Sequence, residues 1–475
     1  SYSVRQKVIM PTPEHYPRLM VLSIDGVPYA LVRRLIEQAD MPNMATLVSQ
    51  FGLRKMRSVQ PTVSCVAWAT YMTGSNPGKH GVYGFIDRRQ DSYELMFPNY
   101  SVLAADSLWQ LLSQADKRVF GMNVPVTYPP GYVNGILIGG FLSMSLEKAA
   151  YPASVGDYLR SIDYRIDSDA AIARKDKRAM LDDLNKTLET RMEAMFHFLD
   201  EESWDFFHTH IMGTDRINHF LWHKMEQGDP EFGPAFFAYY RRIDEYIGRL
   251  LKRLPDDTAL IILSDHGFCP VKYEVQLSRY LVETGWTCPT NKPAHPLSIE
   301  PTKSRAYCLI PGRIFVNLVG REPQGIVPLE EYQQTREQLA DGLMKLRDPE
   351  SNEPVIRNVL MREELYWPTG CEGRTLLTPQ QVAKANGTFG RAADLIAVPY
   401  DGYDLKLGLA ENTLFKKTEL EGMHTYDDAF LIARDVQLPA DNLEIMMLAR
   451  SILDRLDVTP PADMDGSGRA LTPVF

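Results

Sequence analysis

The sequence is poor in cysteine, and the cysteines form no pattern. Cys65, Cys269, Cys288, Cys308 and Cys371 are five in number, far apart, and none stands in a CxxC pair. This excludes a disulfide framework and fits free thiols in a reducing, cytoplasmic compartment. No apolar run reaches the roughly 18 residues that a membrane span needs, so no membrane association is expected. Gly135–Leu142, GILIGGFL, is apolar but short and reads as a buried strand or loop. The segment SYSVRQKVIMPTPEHYP has no apolar stretch of the kind a signal peptide carries, so none is expected. Basic charge is not in excess: 51 Lys and Arg stand against 61 Asp and Glu, a net charge of −10. That argues against a general nucleic-acid binder, whose surface must attract phosphate backbones. It leaves room for a small phosphorylated substrate, because the field at a site can oppose the net charge. Internal repeats and low-complexity tracts are absent, and nothing in the sequence fixes an oligomeric state.

The remaining composition is that of a globular chain. A hydrophobic share of 44% over 475 residues is enough for a sizeable core. The chain is organised around Pro61–Gly84, PTVSCVAWATYMTGSNPGKHGVYG. Here Thr62, Ser64 and Cys65 precede a run, Val66–Met72, of helical character. A hydroxyl at a helix start sits where backbone N–H groups point outward and the dipole favours negative charge, so a phosphate is well placed there. Such a hydroxyl is a nucleophile if its surroundings lower its pKa. The plain alternative is a helix N-cap, which needs no chemistry.

In chain order, Leu19–Ile24 reads as a strand ending in Asp25-Gly26, and Ala30–Gln38 as a helix. Strand, Asp-Gly, helix is the opening of an α/β sheet, and ligands of such sheets bind at the carboxyl ends of the strands. Further strands are expected at Gly52–Val59, Val119–Val124, Phe206–Met212, Ala259–Leu263, Ala393–Val398 and Ala429–Ala433. Helices are expected at Ser107–Ala115, Met180–Phe198, Ala235–Arg253 and Ile445–Leu456. Pro234 suits the first turn of the third of these. From about residue 275 the character changes, with a loop-like mix at 285–305, a strand at Arg313–Leu318, a helix at Leu329–Leu346 and a helical or mixed segment at Arg357–Tyr366. The expected fold is α/β: a mostly parallel central sheet flanked by helices over residues 18–275 and 390–456, with an inserted cap over 276–389. Residues 1–17 and 457–475 are expected to be terminal arms.

Several acids and imidazoles fall at strand ends or turns. Asp25 follows LSI, Asp265 and His266 follow ALIILS, Asp215 and His219 lie in GTDRINH, and His424 lies in EGMHTYDD. Asp215 and His219 are four apart, so on a helix they share one face and can share one metal. Gly267 lets the backbone turn after Asp265-His266. A charged Asp there is costly unless paired or bound to a cation. Each feature alone also fits a turn or a surface ion pair. Together, three Asp, three His and one hydroxyl form an inventory for two divalent metal ions with mixed oxygen and nitrogen ligands. That set suits zinc, and less well manganese or iron.

In their order, LSIDG, PTVS…TYMTGSNPGKHGV, TDRINH, LSDHGF and GMHTYDDAF resemble the alkaline phosphatase superfamily, in its type I phosphodiesterase and nucleotide pyrophosphatase branch. The resemblance spans residues 22–430. It implies that Asp25, Ser64, Asp265 and His266 hold one metal and Asp215, His219 and His424 the other, about 4 Å apart. It also implies that Ser64 attacks phosphorus in line and that water then hydrolyses the enzyme ester.

The chain departs from the branch in two ways. The pyrophosphatases usually carry a Thr nucleophile and an Asn shortly after the PGxHG turn, whereas PGKHG here runs into Val82, Tyr83, Gly84 and Phe85. Asn123, with the backbone N–H of Cys65, is the candidate for the missing phosphate contact. Thr62 is a weaker alternative nucleophile, and His80 reads as a supporting residue. The sulfatase branch modifies a Cys followed by Arg four residues on; Ala69 stands there after Cys65. Monoesterases of the superfamily add a cation beside the nucleophile; Arg305, Arg313 and Lys79 are the candidates, and no spacing places them. The expected activity is therefore phosphodiester hydrolysis, with a phosphomonoesterase or a metal-dependent phosphomutase as alternatives. A sulfatase, or a binding protein on an inactive hydrolase fold, stands behind these.

Overall fold

The computed structural model describes residues 17–290, 296–371, 377–408 and 412–466. The expected arms fall largely outside them, at 1–16 and 467–475. An eight-stranded sheet forms the centre. Its spatial order is Arg54–Met56, Ala429–Arg434, Ala259–Leu263, Leu19–Ile24, Phe206–Ile211, Val119–Met122, Gly135–Ile138, Ala150–Tyr151. The five strands from Ala259–Leu263 to Gly135–Ile138 run parallel. Ala429–Arg434 and Ala150–Tyr151 pair antiparallel to their inner neighbours. The fold is thus α/β with a mostly parallel sheet.

Helices cover both faces, which is why the inner strands are unbroken apolar runs. On Leu19–Ile24, Met20, Leu22 and Ile24 point into one core, formed with helices such as Lys177–Glu201 and Phe232–Leu251. Leu19 and Val21 point into the other, where Trp68, Trp109 and Leu448 pack. The helix Ser64–Thr73 is buried along its whole length. That explains its lack of a polar face.

A second, four-stranded sheet is built from Ala306–Leu309, Arg313–Val316, Leu395–Pro399 and Ile356–Met361, and its pairings are antiparallel. The helix Tyr332–Met344 packs on it, with Leu339 and Leu343 in a core of its own. One strand expectation is corrected here. Leu395–Pro399 belongs to this sheet, not the central one, pairing with Arg313–Val316 and Ile356–Met361. The segment Arg357–Tyr366 is mixed, as expected: the strand Ile356–Met361 is followed by one helical turn, Arg362–Leu365. A buried apolar run does not say which sheet it will join, since either one buries it. The chain after the last helix is also no free arm as far as residue 466. Asp465 is buried and accepts from Lys79 Nζ at 2.8 Å and Trp367 Nε1 at 2.9 Å.

Candidate metal centre

The cluster stands at the carboxyl ends of the parallel strands. Leu19–Ile24 delivers Asp25, and Ala259–Leu263 delivers Asp265 and His266 one residue further on. The helix Gly213–Glu226 follows the strand Phe206–Ile211 and carries Asp215 and His219 on one face. A two-stranded ribbon then returns from far along the chain. Gly267–Pro270 pairs antiparallel with Gly422–Thr425, setting Phe268 opposite His424.

Ser64 is the first residue of its helix, and Val63 occupies the cap position without a side-chain bond. The Ser64 hydroxyl is thus not spent on capping. It donates to Asp25 Oδ1 at 2.9 Å and lies 3.3 Å from His266 Nε2. The backbone N–H groups of Val66 and Ala67 bond to the Val63 carbonyl. That of Cys65 sits in the same first turn, beside the cleft. The Thr62 hydroxyl, by contrast, donates to the Val59 carbonyl at 2.8 Å.

Asp25 is fully buried. Trp68 Nε1 donates to its Oδ2 at 2.9 Å, and His210 Nε2 lies 3.1 Å from the same oxygen. Burial works to raise its pKa, but the His210 and His266 imidazoles outweigh it and hold the carboxyl below its ordinary value. Asp265 Oδ1 accepts from the Gly26 N–H at 3.0 Å, while its Oδ2 is buried with no hydrogen-bond partner. Burial, with Asp25 beside it, pushes the Asp265 carboxyl well above the usual range. Burial also opposes ionisation of Asp215, but His219, His424 and Arg216 outweigh it and hold that carboxyl low.

The imidazoles share one orientation. Nδ1 of His219 is 2.8 Å from the Gly422 carbonyl, Nδ1 of His424 is 3.0 Å from that of Thr62, and Nδ1 of His266 is 3.0 Å from that of Gly267. A carbonyl accepts only, so each Nδ1 carries a proton; Nε2 of the neutral His219 and His266 rings then offers a lone pair, while Asp215 beside His424 raises the pKa of that ring. These Nε2 atoms point inward. His219 Nε2 is 3.1 Å from His424 Nε2, and His424 Nε2 is 3.1 Å from Asp215 Oδ1. Burial pushes the His219 and His266 rings down to about 4, so they are neutral near pH 7. Carbonyl-anchored imidazoles with inward lone pairs are the arrangement of metal-ligating histidines.

Ligand atoms of Asp25, Asp265 and His266 all lie within 4.8 Å of one another, as do those of Asp215, His266 and His424. The residues therefore fit divalent cations. The unpartnered Asp265 Oδ2 and the facing imidazole lone pairs form a donor set with more acceptors than its surroundings satisfy. His266 stands between the two groups, its ring stacked on His424 with centroids 3.8 Å apart.

Other candidates lie elsewhere. Asn123 is fully buried at a positive φ of 69°, within reach of the Tyr164 hydroxyl, and is not on the cleft wall. Its position past the strand Val119–Met122 turns it into the core. Lys79 is taken by Asp465, Arg313 by Asp87 and Arg305 by Glu331. His80 accepts from the Val82 N–H and faces Thr70 Oγ1 at 3.0 Å, tying the PGKHG turn to the helix before it.

Two residues that the sequence reading missed belong to the site. His210 backs Asp25, and its Nδ1 is 2.8 Å from Ser23 Oγ. Arg216 follows Asp215 and lines the cleft. It donates to Asp167 Oδ2 at 2.6 Å and Asp215 Oδ2 at 3.3 Å, and lies over the Phe141 ring at 4.9 Å. The period-two pattern of FFHTHI set the signal for His210, which shares a strand face with His208; nothing in TDRINH marks Arg216 as half-buried.

A family model described as type I phosphodiesterase / nucleotide pyrophosphatase matches residues 19–427. GPI ethanolamine phosphate transferase 3 of Saccharomyces cerevisiae (strain ATCC 204508 / S288c) is 31% identical over 74 residues, 15% of this chain and 6% of that protein. The chain thus spans only a small part of that relative. The fold is similar to phosphonoacetate hydrolase from Sinorhizobium meliloti 1021, solved in complex with phosphonoacetate. The TM-score is 0.61 at 16% identity, covering 93% of this chain and 96% of that one. It is also similar to murine ectonucleotide pyrophosphatase / phosphodiesterase 5, with a TM-score of 0.53 at 14% identity over 94% and 96% of the two chains. At these identities the likeness is one of fold.

Proposed function

The chain belongs to the type I phosphodiesterase / nucleotide pyrophosphatase family of the alkaline phosphatase superfamily, and on that premise we propose that it is a metal-dependent hydrolase of phosphate esters, a phosphodiesterase with Ser64 as nucleophile. The observation that carries this reading is the Ser64 hydroxyl at the head of its helix, turned from capping onto Asp25 at 2.9 Å, beside His266. Asp25, Ser64, Asp265 and His266 would hold one divalent ion, and Asp215, His219 and His424 the other, with zinc the best match to the donors. Bound there, such ions polarise phosphoryl oxygens and favour the ionised forms of Ser64 and of water.

The chain's own residues do the rest. Asp25, fixed by Trp68 and His210, orients the Ser64 hydroxyl. Ser64 Oγ gives up its proton and forms a bond to phosphorus as the bond to the leaving alkoxide breaks, and a proton equivalent to the one Ser64 released lets the alkoxide leave as alcohol. Water then displaces Oγ, restoring the serine and releasing the phosphate monoester. The Cys65 N–H is placed to donate to a phosphoryl oxygen.

The diester is favoured over the monoester by charge. Three carboxylates and an ionised Ser64 offset the charge of a pair of divalent ions, leaving no surplus for the second negative charge of a monoester. Arg216, the wall cation in contact with Asp215, is already countered by Asp167 at 2.6 Å. The proposal includes a cytoplasmic location, resting on the free thiols. Hydrolysis of bis(p-nitrophenyl) phosphate and p-nitrophenyl phosphate by metal-loaded protein tests it. Preference for the diester supports the reading; preference for the monoester moves the protein to the phosphatase or mutase side.

A further inference from the structure

The same cleft also speaks to the groups that the phosphate carries. It encloses about 360 Å³, in the range of small-molecule pockets. Both parts of the fold wall it. Phe85, Phe141 and Leu420 come from segments packed on the central sheet or its neighbours, and Ile310, Val398 and Leu405 from the strands and turns of the smaller sheets. Phe85, Phe141, Ile310 and Leu420 are only partly covered by the protein, so their apolar surface faces the cleft.

Charge on the wall is balanced. Four basic side chains line the cleft, and so do four acidic ones. Arg174 is paired with Glu419, Lys406 with Asp404 at 2.8 Å, and Arg216 with Asp167. A nucleoside polyphosphate carries several negative charges and needs a basic surface that is not already neutralised. An uncharged apolar group needs no such surface, and gains from every methylene it buries here.

Resting on the phosphodiesterase reading above, we infer that the substrate is a phosphodiester bearing a bulky, uncharged, apolar substituent, and not a nucleoside polyphosphate. Phe85, Ile310 and Leu420 are the specificity-determining contacts.

The test is a series of alkyl p-nitrophenyl phosphates, from methyl to octyl, with p-nitrophenyl thymidine 5′-phosphate beside it. Each added methylene raises kcat/KM by about twofold to fourfold until the cleft is full. The affinity of matching alkyl phosphonate monoesters for the Ser64→Ala variant, read by calorimetry, rises in parallel. The Leu420→Asp substitution flattens both slopes. A flat series, or a preference for the thymidine ester over octyl, overturns the inference while leaving the phosphodiesterase reading intact. If no diester is turned over by metal-loaded protein, that reading falls and the inference falls with it.

Discussion

The Nε2 atoms of His219 and His424 face one another at 3.1 Å, although each ring has given its Nδ1 proton to a backbone carbonyl. Asp215 Oδ1 is 3.1 Å from His424 Nε2 and raises the pKa of that ring, so without metal a proton on His424 Nε2 can bridge the group; a shared cation takes that proton's place. Asp215→Asn is therefore expected to lower the bound metal by about one ion per chain, without emptying the group around Asp25 and Asp265. Elemental analysis of the purified variant reads this directly; unchanged metal content would remove Asp215 from the ligand set.

Arg216 steadies the outer oxygen of Asp215 and is itself anchored by Asp167. Arg216→Gln is expected to lower diester kcat/KM by about 10-fold to 100-fold, the usual cost of losing a partner of a metal-binding side chain. Arg216→Lys keeps the charge without the paired geometry and falls between. Full activity in Arg216→Gln would reduce this ion pair to a surface detail.

The seven candidate ligands are legible through the ordered motifs that resemble the family, and several also stand out locally: Asp25 and Asp265 after apolar runs, Asp215 and His219 one helical turn apart, His424 two residues after Gly422. The structure brings them into one cluster from positions 25 to 424 of the chain. What was not legible is whatever depends on partners distant in sequence. Arg216 reads as an ordinary exposed helix residue until Asp167 and Phe141 close over it. Asn123 has the right chemistry for a phosphate contact, yet the strand before it turns it inward. Leu395–Pro399 has the composition of a central strand, but its hydrogen bonds go to the smaller sheet.

Cys65 is next to the nucleophile and is the residue a sulfatase would convert. Burial pushes its thiol up to about 12. It is expected to resist iodoacetamide in the folded protein at about pH 8 and to react once the chain is unfolded, since only the thiolate is reactive. Peptide mass analysis should find an unmodified cysteine there. A formylglycine at position 65 would revive the sulfatase alternative.

Asp394 ties the smaller sheet together. It accepts from Arg321 Nη2 at 2.6 Å, Arg321 Nη1 at 2.8 Å and the Val316 N–H at 2.7 Å, and is fully buried. Burial opposes its ionisation, but Arg321 and Arg362 outweigh it and hold the carboxyl well below its ordinary value. A carboxyl lowered by folding stabilises the fold above the unfolded carboxylate pKa, and loses that contribution as pH falls towards the folded one. Asp394→Asn is expected to cost about 1–3 kcal/mol at neutral pH, because Arg321 loses one of its two buried carboxylate partners and keeps Glu322. Its stability should also depend less on pH in the acid range. Urea denaturation at neutral and acid pH measures both; equal stability at neutral pH would contradict this account.

The central claim is that Ser64 acts at a metal centre on phosphodiesters. The most direct measurement is turnover of bis(p-nitrophenyl) phosphate as a function of divalent metal bound per chain, starting from chelator-stripped protein. The account predicts no turnover without metal and activity that rises until about two ions per chain are bound. Full turnover in the stripped protein would contradict it.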